Sequence, residues 1–264
     1  MTAKTILRKN IGLALGGGSV LGSAHIGVLK AFDEFNLKPK GISGTSIGAL
    51  VATMYAFGKT WKEMEKVALE LNWLDVSSMS LSKYGLLSNE KLGKLINKQL
   101  GDVNIEDANI PLAIVAADVA RGEKVVFRSG SVAKAVMASS CIPGVYIPIE
   151  INNMLLVDGG IVENVPVSSL SDMNMDVTIG VDLTSEHQKK KPENIIDVLV
   201  NSFHITLKNA RKQQSQKADI RIAPNLSKFN IRDTDQIQEL IKAGYSEAKN
   251  VLEKQFLSEE ITVN

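Results

Sequence analysis

Short apolar runs alternate with helix-length amphipathic stretches along this chain. The runs Ile11–Leu15, Gly41–Ser43, Leu112–Ala117, Lys124–Phe127, Leu155–Val157, Val177–Asp182 and Ile220–Ile222 predict strands. Between them, Ser23–Phe35, Ile47–Tyr55, Trp61–Leu71, Asn89–Leu100, Val132–Ser139, Ile195–Lys212 and Asp235–Gln255 predict helices. In the last of these, Ile237, Leu240, Ile241, Tyr245, Ala248 and Leu252 recur every three or four residues, which predicts an apolar face packed on a sheet. Leu199, Phe203 and Leu207 repeat the pattern in Ile195–Lys212, again as a core face rather than a lipid-binding one. Strands alternating with helices give an α/β fold, a three-layer sandwich around a mainly parallel sheet. Right-handed crossovers then place helices on both of its faces.

Three predicted strands end in glycine. The first runs into "GGGSVLG", Gly16 to Gly22, a turn that can cradle a phosphate, a dinucleotide or a developing oxyanion. The second runs into Gly44-Thr45-Ser46-Ile47-Gly48, a G-x-S-x-G pattern. That pattern suits a tight strand-to-helix turn: the serine sits at its apex, and the glycines let strand and helix approach closely. The serine hydroxyl then projects at a helix N-terminus, where the dipole favours developing negative charge. The third, in "MLLVDGGIVENVPV", runs into Asp158-Gly159-Gly160. If the strands are parallel, all three turns share one sheet edge, where open α/β sheets bind ligands. Together they supply amide donors, a nucleophile and a base, the set acyl transfer requires.

Composition narrows the field. The 264 residues fit one domain spanning 1–264. A net charge of +1 provides no basic face for nucleic acid. The run Lys189 to Lys191 lies between Glu186 and Glu193 and reads as a solvated loop. The single Cys141 excludes an internal disulfide and a cysteine-based zinc site. No calcium-loop pattern is present, so metal-independent chemistry is expected. The N-terminus "MTAKTILRKN" has no apolar signal region, and no stretch approaches the roughly 20 apolar residues of a membrane span. A cytoplasmic location is expected, with membrane access through surface contact.

Several readings stay open on these residues. Gly16, Gly18 and Gly22 read G-x-G-x-x-x-G, one residue longer than the dinucleotide fingerprint. Ser43-Gly44-Thr45-Ser46 also stands where that fingerprint expects an acidic residue. A Ser–Asp–His triad would pair Asp158 with His187, but the α/β-hydrolase fold sets several strands before its elbow and here there is one. His25 and His204 have no partner motif. A lipid-binding or regulatory protein on the same scaffold is the non-enzymatic alternative.

The ordered set of motifs resembles the patatin-like phospholipases over most of the chain. "MASSCIPGVYIPI" (Met137 to Ile149) is similar to that family's alanine-serine-proline block, and "IPLAIVAADVARGEKVVF" (Ile110 to Phe127) to its central strand pair. The resemblance implies Ser46 as nucleophile, Asp158 as base and no catalytic histidine. It implies Gly17, Gly18 and Ser19 as the oxyanion turn, with Gly16, Gly22, Gly44, Gly48, Gly159 and Gly160 shaping the supporting turns. It implies a lipid acyl hydrolase of phospholipase A, lysophospholipase or carboxylesterase type that acts on a fatty-acyl ester and needs no cofactor or metal. One departure is Leu21, where the family turn usually carries Arg or Lys. A charge near the site is thereby lost, which favours a neutral ester or lysolipid. A direct Ser–Asp pair needs a raised Asp158 pKa, expected from burial against neighbours such as Val157. "NWLDVSSMSLSKYGLL" (Asn72 to Leu87) carries Trp73, Leu74, Met79, Leu81, Tyr84, Leu86 and Leu87 without clean periodicity. It reads either as a cover over an acyl groove or as an ordinary packed connection.

Overall fold

The computed structural model describes residues 9–70, 78–79, 82–183, 191–214, 218–231 and 233–257. Its strands are β1 (Ile11–Leu15), β2 (Gly41–Thr45), β3 (Ser78–Met79), β4 (Gly85–Ser88), β5 (Leu112–Asp118), β6 (Glu123–Phe127), β7 (Gly144–Tyr146), β8 (Ile149–Ile151), β9 (Met154–Asp158), β10 (Val177–Val181) and β11 (Ile220–Ile222). Its α-helices are α1 (Ser23–Glu34), α2 (Ile47–Ala56), α3 (Trp61–Glu70), α4 (Glu90–Leu100), α5 (Val132–Ser139), α6 (Ile195–Gln214) and α7 (Ile237–Leu257). Every strand and helix expected from the hydrophobic pattern is present. The pattern did not mark β8 or the small sheet β3-β4-β7, whose short strands carry too few apolar positions to show a period.

The main sheet runs β11-β10-β1-β2-β5-β9-β8, with β6 on β5. Strands β11, β10, β1, β2 and β5 are mutually parallel, whereas β6, β9 and β8 join antiparallel. The near-continuous apolar character of β1 and β5 follows from burial on both faces. Ile11, Leu13 and Leu15 enter the large core with α1, α2 and Leu240 of α7. Ala14, on the opposite face of the same strand, packs with Val165, Val167 and Leu170, which lead into and form the 3-10 helix Val167–Met173.

One expectation about a helix face changes. The apolar face of α7 packs chiefly on α1 rather than directly on the sheet. Two glycines permit this close crossing: a Cβ on Gly27 would strike the Ile241 carbonyl oxygen, and one on Gly244 would strike that of Ala24. Helix α6 turns Phe203 and Leu207 toward Gly160, just past the end of β9.

Candidate functional site

Strand β5 brings the expected nucleophile and base together. Along one edge it pairs with β2, matching Val115 to Thr45. Its next residue, Ala116, pairs with Asp158 of β9. Because Ala116, Ala117 and Asp118 pair with β6 as well, β6 occupies the other edge, and β2 and β9 share this one. The two strands therefore meet end to end, and Ser46 follows Thr45 at the junction. Three parallel strands were expected to present their turns on one edge. The turns do converge, but β9 arrives antiparallel, from the opposite direction.

Ser46 holds φ 55° and ψ −126° at the start of α2, a left-handed backbone that a non-glycine residue adopts only under constraint. The constraint is visible. Its N–H donates to Ser139 Oγ at 2.8 Å, and that hydroxyl donates to the Val115 carbonyl at 2.6 Å. A Cβ on Gly44 would lie 2.5 Å from the Gly48 carbonyl oxygen, and one on Gly48 would run into the Leu15 carbonyl oxygen. Only glycine fits at either position, as the G-x-S-x-G pattern implies.

The glycine turn is fixed from three sides. The Gly16 N–H donates to the Val181 carbonyl at 3.0 Å. The Gly16 carbonyl accepts from His25 Nε2 at 2.7 Å. Burial pushes the His25 pKa down to about 4, so the ring is neutral near pH 7 with its hydrogen on Nε2. The Gly17 N–H donates to Asn164, at 3.2 Å to Oδ1 and 3.3 Å to the carbonyl oxygen. Gly17 itself lies beside Ser46, whose Cβ a Gly17 Cβ would approach to 3.2 Å. Gly18 then caps the 3-10 turn Ser19–Gly22. The N–H groups of Gly18 and Ser19 stand at the head of that turn, where no intrahelical acceptor exists.

Asp158 is 1% exposed. Its Oδ1 accepts from the Gly160 N–H at 2.8 Å, while its buried Oδ2 closes no well-directed hydrogen bond. Burial pushes the carboxyl pKa from 3.8 up to about 7; the Ser46 hydroxyl and the Gly160 N–H pull it the other way. The neighbouring Cys141 thiol is buried and pushed up to about 12, first by burial and then by Asp158, so it is inert as a thiolate.

Ser46, Asp158, Gly17, Gly18 and Ser19 line one cleft. Ile47, Leu50, Leu92, Ile142, Tyr146, Phe203 and Leu207 give it apolar walls. Asn89, Ser140 and His204 are its other polar residues among those described. Apolar walls around a few convergent polar groups are the usual make-up of a small-molecule site.

A family model for patatin-like phospholipases matches residues 13–171, which hold the glycine turn, Ser46 and Asp158. The chain belongs to the patatin-like phospholipase family. At this level its scaffold is that of a lipid hydrolase. An NTE family protein of Mycobacterium tuberculosis is 37% identical over 175 residues, covering 66% of this chain and 49% of that protein. Lysophospholipase NTE1 of Kluyveromyces lactis is 28% identical over 260 residues, covering 96% of this chain and 17% of that protein. The chain thus spans about half the length of the first and about a sixth of the second. Among solved structures, VipD from Legionella pneumophila superposes with a TM-score of 0.54 at 15% identity, over 93% of this chain and 67% of VipD. ExoU in its complex with SpcU from Pseudomonas aeruginosa gives 0.53 at 16%, over 95% of this chain and 52% of the other. Both share the patatin-like fold.

Other sequence expectations fare unevenly. His25 is tied to Gly16 and lies outside the cleft lining, whereas His204 faces the cleft. His187 lies outside the described residues, as do Lys189 and Lys190. Of the proposed cover, 72–77 and 80–81 lie outside them too, including Trp73, Leu74 and Leu81. Its described part pairs β3 with β4 and leaves Tyr84 and Leu86 exposed. Leu21 is fully buried in the core and does not line the cleft, so its position gives no support to a head-group preference drawn from a lost charge. Sequence reasoning missed Ser139 and Asn164, which hold the elbow and the glycine turn. Ser139 lies in the "MASSC" block, so only the resemblance pointed near it. Asn164 carried no motif signal.

Proposed function

We propose that the chain is a serine lipid acyl hydrolase that cleaves fatty-acyl esters through Ser46 and Asp158. The observation that carries this reading is the end-to-end meeting of β2 and β9, which sets a buried carboxyl with a pKa of about 7 beside a strained serine. A base of that strength is matched to proton transfer near neutral pH. As Ser46 Oγ attacks the ester carbonyl, the Asp158 carboxylate takes its proton. The tetrahedral intermediate then expels the alcohol, which receives that proton from Asp158. Water, deprotonated by Asp158, attacks the acyl-enzyme; the fatty acid leaves as Asp158 returns that proton to Ser46 Oγ.

The oxyanion is assigned to the N–H groups of Gly18 and Ser19. Gly17 is better read as their support, since its own N–H is spent on Asn164. One such donor is typically worth about 3 kcal/mol of barrier. The described cleft lining includes no lysine or arginine, which favours recognition of the neutral acyl-ester part of a lipid. The name of the lysophospholipase relative agrees with such a substrate. Exposed Val198 and Ile205 on α6, the helix whose Phe203 and Leu207 line the cleft, favour access from a lipid surface. No described helix is long and apolar enough to cross a membrane.

Labelling with a fluorophosphonate probe tests the reading. The wild-type chain is expected to form a covalent adduct that Ser46→Ala abolishes. A chain that binds fatty acid but takes no label would instead be a lipid-binding protein on this scaffold.

A further inference from the structure

A second cavity lies directly behind the cleft. It is walled by α2, α3, α4 and the start of α1, and it shares two residues with the cleft, Ile47 and Leu50. These stand one and four positions after Ser46 and form a wall common to both. Apart from Ser23 and Gln99, its lining side chains are apolar. Val51 and Met54 come from α2, Met64 and Ala68 from α3. All four are buried, yet they leave space between them.

Like the cleft, this hollow is partly open to solvent. Three features suit this one to a chain of methylenes. Its lining is almost wholly apolar. Its wall is continuous with the cleft where the acyl carbonyl must sit. The void itself is small, about 40 Å³, but it is bounded by Met54 and Met64. Unbranched methionines re-pack around a guest more readily than branched side chains.

We propose that this cavity is the acyl-chain subsite. The ester's fatty-acyl chain passes Ile47 and Leu50 and ends among Val51, Met54, Met64 and Ala68, which set the preferred chain length. This rests on the assignment of Ser46 as the acylated residue. Each methylene seated there is expected to raise kcat/KM about fourfold until the cavity is full.

The test is a series of p-nitrophenyl esters from butyrate to palmitate, read as the ratio of long-chain to butyrate kcat/KM. Ala68→Phe is expected to lower that ratio at least tenfold and to shorten the optimal chain. Met64→Ala is expected to move the optimum to longer chains, and it reports in the opposite direction if the bulky variant fails to fold. A ratio unchanged in both variants would overturn the proposal. If no ester is cleaved in a Ser46-dependent way, the hydrolase reading fails on its own. The cavity is then judged by direct titration with the fluorescent fatty acid cis-parinaric acid. Binding weakened at least tenfold by Ala68→Phe supports the subsite; equal binding, or none by the wild type, refutes it.

Discussion

Asp158→Asn separates what the buried carboxylate does for chemistry from what it costs the fold. Asparagine keeps the shape, and its Oδ1 can still accept the Gly160 N–H now received at 2.8 Å. Only the charge and the titration disappear. The native carboxyl has a pKa of about 7, against an ordinary value of 3.8. Between these values the native chain holds a proton that the unfolded chain has released, so stability must fall as pH rises from about 4 to about 7. At about 1.4 kcal/mol per pH unit, the full penalty is about 4.5 kcal/mol above pH 8, and relaxation around the carboxylate brings the expected value to about 2–4 kcal/mol.

The assay is urea denaturation of wild type and Asp158→Asn at pH 4, 6 and 9, with thermal melts alongside. The variant is expected to be more stable at pH 9 by that amount, which corresponds to roughly 4–16 °C in Tm for a domain of this size. The gain should shrink toward pH 4, where the wild-type carboxyl is protonated in the native state. The same variant should lose about 10²–10⁴-fold in ester hydrolysis, since the base is gone. Wild-type kcat/KM should rise with pH through about 7, as Asp158 ionises. A stability gain below about 1 kcal/mol at pH 9, or one equally large at pH 4, would refute the claim that burial raises this carboxyl.

Three further outcomes follow from the same geometry. Ser139→Ala removes the acceptor for the Ser46 N–H, so kcat should fall about 10- to 100-fold with KM little changed, measured on a short-chain ester. His204→Ala should retain ester hydrolysis within about tenfold, because a Ser–Asp pair needs no histidine; loss of about 10³-fold or more would point to a triad instead. Gly48→Ala places a methyl group against the Leu15 carbonyl and should lower stability by several kcal/mol (~3 or more), read as a fall in Tm or in soluble yield.

The parts of this molecule that repeat along the chain were legible in its sequence. Strand and helix periodicity located the main sheet because each element buries a whole face, and burial leaves its period in the residues. The elbow was legible because Gly44 and Gly48 answer a local steric demand. What stayed hidden depends on pairing between distant segments. Nothing in "MLLVD" states that β9 will meet β5 antiparallel, since an apolar strand buried on both faces reads alike in either direction. Asn164 and Ser139 were hidden for a related reason. A single polar residue aimed at a backbone group 147 or 93 positions away has no periodic partner to announce it. Leu21 misled in a different manner: its position in the motif is near the site in sequence, but its side chain points into the core.

The pairing on β5 also explains how so few side chains can build the site. Val115 and Ala116 are consecutive, fully buried residues, and they fix the ends of β2 and β9 respectively. The Val115 carbonyl accepts the Ser139 hydroxyl that holds the Ser46 N–H, and it lies so close to Gly159 that a Cβ there would strike it. One peptide group of the central sheet thus touches the supports of both Ser46 and Asp158. A slip of one residue between β9 and β5 would turn Asp158 to the other face of the sheet and separate it from Ser46. In a triad, a histidine side chain spans the gap between serine and carboxylate. In the proposed Ser46–Asp158 pair the ends of two strands close that gap, and the precision that an oriented imidazole supplies elsewhere would come from the register of a buried sheet.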